Sequence, residues 1–105
     1  GDVFTWQEPF DVVLFYNVLY HLKSPWLALE RLRAITKQLL CLQTRIVLIE
    51  EPVLRLYSPL EAHRDDPTVF CDPSYAAVEL MLGQAGFSKW EVIERWESHV
   101  IMRAR

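Results

Sequence analysis

Asp11-Val12-Val13-Leu14-Phe15-Tyr16 is a near-continuous run of strand-forming residues whose two alternating faces are both apolar. Such a strand is expected to be buried on both sides, the pattern of a parallel sheet covered by helices. A helix follows it. Ser24 is placed as an N-cap, and Pro25 suits the first helical position, where no N–H partner is needed. Ala28, Leu29, Leu32 and Ile35 recur at helical spacing, with Glu30, Arg31, Arg33 and Lys37 on the other side. The expected amphipathic helix has roughly four turns. Leu39-Leu40-Cys41-Leu42 and Ile46-Val47-Leu48-Ile49 are both strand-like, separated by Gln43-Thr44-Arg45. One long strand and a helix end followed by a strand both fit this pattern. Glu50-Glu51-Pro52 closes it.

Residues 52–72 show no convincing period and read as a long excursion with one short helix near Leu56–His63. Loops of that length usually serve a site or a partner. Asp72-Pro73-Ser74 then opens a second helix that either Asp72 or Ser74 could cap. Gly86 is placed just past its end, where a left-handed residue is needed. Lys89–Arg95 and His99–Arg103 are the last strand candidates, joined by a tight turn near Trp96–Ser98. The first strand, helix and second strand form a βαβ unit, expected to be right-handed. The final pair is short-linked and therefore antiparallel. The expected fold is α/β, with a partial Rossmann-like sheet of about four strands, parallel but ending in an antiparallel hairpin, and flanking helices.

Composition narrows the class. The chain has 105 residues, 51% hydrophobic and 24% charged, with 4 Trp, 4 Tyr and 5 Phe. One modest core and a single domain over 1–105 are the natural reading. The formal net charge is −3, and the eleven Lys and Arg form no basic run. A free-standing nucleic-acid binder usually shows a basic stripe, because phosphate neutralisation supplies much of its affinity. Cys41 and Cys71 make no CxxC pair and no metal spacing with His21, His63 or His99. They read as reduced core or half-exposed thiols, which suits a cytoplasmic protein. No apolar run approaches the ~18 residues of a membrane span. Gly1-Asp2-Val3 does not begin a signal peptide and is not preceded by Met, so a trimmed or truncated chain is expected.

The residues then take on a family likeness. Phe10-Asp11-Val12-Val13-Leu14 followed by Val18-Leu19-Tyr20-His21-Leu22 resembles the fourth strand and following turn of class I S-adenosylmethionine-dependent methyltransferases. Ser24 to Leu32 resembles the helix that comes next. Asp66-Pro67-Thr68-Val69-Phe70 and Ala76 to Leu82, ending in Ala85-Gly86-Phe87, is similar to a narrower group that contains the tRNA wobble-uridine carboxymethyltransferases and uncharacterised relatives. The resemblance covers nearly all of the chain and implies the C-terminal half of such an enzyme. It implies S-adenosylmethionine as cofactor, bound weakly or not at all by this chain alone. The reason is chemical: no Gly-x-Gly-x-x-Gly loop and no acidic residue ending a second strand are present to hold the methionine part and the ribose. The alternative is a non-catalytic binding or assembly module that kept half of the scaffold.

On the cofactor side the resemblance implies Asp2, with the adjoining Val3, near the adenine, Tyr16 at a cofactor-contacting position at the strand end, and Tyr20 near the methionine end. An aromatic face beside a sulfonium is favoured by cation–π attraction. The plainer readings are a solvated Asp2 and core packing of both tyrosines. Asn17 and His21 flank them; a histidine can act as a general base, but His21 reads more readily as a residue that holds the turn. No catalytic residue is assigned, and the methyl acceptor, small molecule or RNA, is open. The carboxymethylating members carry an arginine near the start of the last strand, where Ser98-His99 stands here. Ordinary S-adenosylmethionine is therefore the expected cofactor. Arg103 and Arg105 read as a solvated chain end, and Trp90 and Trp96 as packing residues or base-stacking platforms. The expected partner is a second copy, as a homodimer, or the missing N-terminal half. Asp11–Tyr16 carries no Pro or Lys to blunt an edge, and lysine at Val13 or Phe15 is expected to weaken pairing there. No membrane partner is expected.

Overall fold

The computed structural model describes residues 9–22, 24–58 and 70–105, Tyr20 by its backbone alone. Asp2, Val3 and most of the 52–72 excursion therefore lie outside the described residues. Four strands form one sheet: β1 (Phe10–Tyr16), β2 (Thr36–Arg45), β5 (Trp90–Trp96) and β6 (His99–Ala104), in the order β1-β2-β6-β5. β1 and β2 are parallel, while β2–β6 and β6–β5 are antiparallel. This is the expected partial α/β sheet with a terminal hairpin. Helices α1 (Pro25–Ile35) and α2 (Tyr75–Ala85) complete it, with a small ribbon of β3 (Leu54–Leu56) and β4 (Cys71–Pro73).

Local chemistry accounts for the boundaries. Pro25 starts α1, but Ser24 contributes its carbonyl to Ala28 N rather than a side-chain cap. The helix has eleven residues, about three turns rather than four. It passes into β2 with no loop. The Thr36 hydroxyl donates to Leu32 O at 2.6 Å, and Arg33 Nη1 donates to Thr36 O at 3.1 Å, so a carbonyl of the last turn of α1 and the first carbonyl of β2 both gain side-chain donors at the turn. β2 ends at Arg45. Ile46–Ile49 lies beyond it, apart from a bridge of Val47 to Ser74. Neither open reading holds in full: Leu39–Leu42 is strand, as one long strand requires, but Ile46–Ile49 falls outside it. No described residue near Leu56 is helical; Leu54–Leu56 pairs with β4 instead.

Ser74, not Asp72, caps α2: its Oγ accepts from Ala77 N at 3.2 Å. Gly86 ends the helix at φ 111°, and Arg33 Nε of α1 donates to its carbonyl at 3.1 Å. A Cβ at Gly86 would sit 3.4 Å from Arg33 Cγ in a backbone region that L side chains rarely adopt. Gly86→Ala should therefore cost about 1 kcal/mol or more; an unchanged thermal midpoint would rule this out.

One expectation is overturned. β1 is buried on one face only. Val13 and Phe15 join Leu40, Leu42, Val100, Met102 and Ala104 beneath the apolar faces of α1 and α2. Val12, Leu14 and Tyr16, on the opposite face, are exposed. Both helices cover the same side of the sheet, so the second apolar face of β1 has no cover among the described residues. Lysine at Val13 or Phe15 would therefore disrupt the core and not an edge.

Candidate functional site

In an open sheet of this kind, ligands bind beyond the carboxyl ends of the parallel strands. Here those ends are Tyr16 of β1 and Arg45 of β2, beside the start of β6 at His99. Tyr16 is exposed at the strand end. The chain then turns through Asn17 at φ 59°, the left-handed region. Asn is one of the few L residues that tolerates this conformation. Asn17 N donates to Gln43 O of β2 at 2.9 Å, so the turn is tied to the neighbouring strand. A 3-10 turn, Leu19–His21, follows and is closed by His21 N to Val18 O at 2.9 Å. Tyr20 lies in this turn, four residues after Tyr16. A strained non-glycine residue at such a place is a signature of functional loops.

A second group of polar residues lies at the same end of β2. The Asp72 carboxylate accepts from Tyr57 Oη at 2.8 Å and from Arg45 Nη2 at 3.3 Å. These contacts join the β3–β4 ribbon to the end of β2. Burial pushes the Tyr57 hydroxyl above its ordinary pKa, and its bond to Asp72 adds to this. Cys71, next in the chain, has its thiol near Leu22 O at 3.9 Å, so the ribbon also packs against the turn that carries Tyr20 and His21. Burial raises the Cys71 thiol to about 11, with a further push from the Asp72 carboxylate. That makes it an inert core thiol rather than a nucleophile.

The sequence-predicted residues fall in three groups. Tyr16 and the backbone of Tyr20 come together at the carboxyl end of β1, with Asn17 and His21 between and beside them. Asp2 and Val3 lie outside the described residues. His99 and the two tryptophans make contacts within the hairpin and to α2. His99 stacks on Trp96 at 5.3 Å and meets Ser98 Oγ at 3.1 Å. Trp90 donates to Glu79 at 3.0 Å and packs on Gly83. Arg103 is paired with Glu91 across the β5–β6 ladder. The Arg45–Asp72–Tyr57 group was missed; only the placement of Asp72 between an excursion and a helix hinted at it. Among the described residues, no group of His, Cys, Asp or Glu is arranged to hold a metal ion. No described helix is long and apolar enough to cross a membrane. A concavity of about 780 Å³ lies at the other end of the sheet, lined by Gln38, Lys89, Trp90, Arg103 and Arg105 among others. Its walls come from the amino end of β2 and from the chain's last residues, away from the strand ends where such folds bind ligands.

No protein-family description and no functionally curated sequence matches the chain. Solved structures do. The N-terminal domain of EvdMO1 with SAH bound superposes with a TM-score of 0.78 at 21% identity, over 100% of this chain and 51% of that one. The DhpI–SAH complex gives 0.64 at 19% identity, over 100% and 52%. Human N-acetylserotonin methyltransferase in complex with SAM gives 0.67 at 18% identity, over 100% and 32%. The chain thus spans about half the length of the EvdMO1 domain and of DhpI, and about a third of the human enzyme. At these identities the likeness concerns the fold, and the fold of this chain is a partial fold of the S-adenosylmethionine-dependent methyltransferase type.

Proposed function

We propose that this chain is the half of an S-adenosylmethionine-dependent methyltransferase that supplies one wall of the cofactor site. The observation that carries the reading is the end of β1. An exposed tyrosine is followed by a left-handed Asn17 anchored to Gln43, within a fold that superposes over its full length on an SAH-bound domain. The residues present suit one side of the cofactor. Tyr16 and Tyr20 would flank the sulfonium end, and Asp2 with Val3 would meet the adenine. The glycine-rich loop and ribose carboxylate that would grip the other side are absent from the sequence. When bound, S-adenosylmethionine supplies the methyl group. The chain's own part is to orient and to exclude water: an aromatic ring at the strand end and a turn fixed to β2 hold one face of the crevice without reorganising.

Within that reading the cofactor is S-adenosylmethionine rather than a carboxylated derivative. His99, stacked on Trp96, stands where a carboxylate-binding arginine would be required. Arg45, the basic residue at the end of β2, is paired with Asp72 and so lends no support to an RNA acceptor, and the acceptor class stays open. A half-site should bind weakly. Nuclear magnetic resonance titration with SAH is expected to shift amides of Tyr16–His21 and Gln43 only, with a dissociation constant above about 1 mM, or −4 kcal/mol. Tyr16→Ala should abolish those shifts. Micromolar binding by calorimetry would show that the site is complete in this chain. Shifts at other residues only, or none at saturating SAH, would remove the cofactor reading.

A further inference from the structure

The cavity of about 780 Å³ at the amino end of β2 owes its walls to strand register. On β6, Met102 and Ala104 are buried beneath α1 and α2. Arg103 and Arg105 alternate with them and therefore stand on the opposite, open face of the sheet. Glu91 of β5 is opposite Arg103. Lys89 and Arg105 exchange both backbone hydrogen bonds at 2.9 Å, so Lys89 stands beside Arg105 on the same face. On the other side of Arg105 is Leu39 of β2, one step beyond the pair of Leu40 with Ala104. Ser88 N also donates to Arg105 O at 2.9 Å, which fixes the rim. Gln38 belongs to a bulge. Phe10 pairs with Thr36 and Val12 with Leu39, so between these pairs β2 carries one residue more than β1. A bulge breaks the ladder and re-aims a side chain, and such irregularities gather beside binding sites.

Three cations, Lys89, Arg103 and Arg105, thus share one cavity with a single carboxylate, in a chain of net charge −3. Glu91 pairs with Arg103 and holds its guanidinium in place. Among the described residues no carboxylate pairs with Lys89 or Arg105. Like charges side by side on paired strands are destabilising, and a bound anion would offset them. Arg103 and Arg105 start about 7 Å apart along β6, and Lys89 about 5.5 Å across from Arg105. Side chains of that length reach one group of oxygens from those points. Charge-assisted bonds to phosphate are strong, and a guanidinium offers them in pairs. The neutral residues Gln38, Leu39 and Ser88 line the remainder, and the volume is that of a small-molecule site. An inorganic ion alone would leave most of it empty. A nucleic-acid strand needs charge along a stripe. Here the next pairs along the hairpin are Glu94 with Ile101 and Trp96 with His99, so the positive charge stops at the cavity. We propose that this cavity binds a small phosphomonoester with a neutral, hydroxylated body. Lys89, Arg103 and Arg105 hold the phosphate, and the body lies against Leu39 between Gln38 and Ser88. The site is at the opposite end of the sheet from Tyr16–His21 and does not depend on the cofactor reading.

The test follows the amide resonances of the whole chain without cofactor. Glucose-6-phosphate should shift Gln38, Leu39, Ser88–Glu91 and Arg103–Arg105 and leave Tyr16–His21 and Gln43 in place. Inorganic phosphate should reach the same amides with an affinity lower by about tenfold, and glucose alone should shift none. Lys89→Gln and Arg105→Gln should each weaken the sugar phosphate by about tenfold, because a hydrogen bond to a charged group is lost. Both side chains are exposed, so each variant keeps its fold, which circular dichroism verifies. Arg95→Gln removes the same charge from the other face of the same hairpin, where the guanidinium lies over the Tyr75 ring, and should leave the affinity unchanged. Equal affinities for inorganic phosphate and glucose-6-phosphate would mean an adventitious ion only and would overturn the proposal. An equal loss in Arg95→Gln would overturn it as diffuse charge attraction. Tighter binding of a short RNA oligonucleotide at the same amides would overturn it in favour of a nucleic-acid strand. Unmoved amides at about 10 mM glucose-6-phosphate, an affinity weaker than roughly −3 kcal/mol, would overturn it outright.

Discussion

Asp72→Ala is expected to lower the unfolding free energy by about 3 kcal/mol, measured by urea denaturation. Asp72 is 4% exposed and holds both Arg45 Nη2 and Tyr57 Oη. An exposed ion pair would contribute about 1 kcal/mol or less. Here the acceptor is buried, so its removal leaves a half-buried guanidinium and a phenol without the partner they share. Taking one member from a buried pair typically costs about 3–5 kcal/mol, and the partial exposure of Arg45 places this site at the lower end. The double variant Asp72→Leu with Arg45→Met should recover most of the loss, because an apolar replacement of a buried pair is often neutral. Equal losses for the single and double variants would show that the pair is not what joins the β3–β4 ribbon to β2.

What the sequence could show follows from which forces are local. Gly86 and Ser74 were legible because caps and helix ends are decided within a few residues. The hairpin of β5 and β6 was legible for the same reason: its turn is short and both strands alternate or carry β-formers. The Asp11–Tyr16 run was recognised as a strand, yet its burial on one face was not legible. Apolar residues on both sides of a strand state what each face would tolerate, and only the tertiary arrangement shows that α1 and α2 fall on the same side. The β2 boundary was ambiguous because Leu39–Leu42 and Ile46–Ile49 are equally apolar. What decides it is Thr36, whose hydroxyl returns to Leu32 and lets the strand begin at the helix end. At the candidate site, Tyr16 and Tyr20 were named through resemblance, and Asn17 through its neighbours alone. The strain at Asn17 is a backbone property with no composition signal. The Arg45–Asp72–Tyr57 group joins three segments distant in sequence, so no spacing could have announced it.

Alkaline titration should expose how much the ribbon depends on a protonated core. The Cys71 thiol has its pKa raised from the ordinary 9 to about 11, first by burial and then by the Asp72 carboxylate. Tyr57 and Tyr75 are raised as well, each first by burial and then by a nearby carboxylate. For a group whose pKa is higher in the folded state, ionisation at rising pH begins in the unfolded chain and pulls the equilibrium toward it. The stability that Cys71 contributes is therefore fully present below pH 9 and is lost as pH climbs from 9 to about 11. Two pH units correspond to about 2–3 kcal/mol. Urea denaturation should give a plateau up to pH 9 and a fall of that order by pH 11, and the tyrosines should extend the fall above pH 10. Cys71→Ala should be less stable at pH 8, because a buried side chain is lost, but its decline between pH 9 and 10 should be much shallower. Asp72→Ala, folded but destabilised, should bring the Cys71 thiol back toward 9, so that it reacts faster with iodoacetamide at pH 9 than in the parent protein. A parent stability that stays level to pH 11 would mean that the thiol is hydrated in solution and that the ribbon packs less tightly on Leu22 than its geometry indicates.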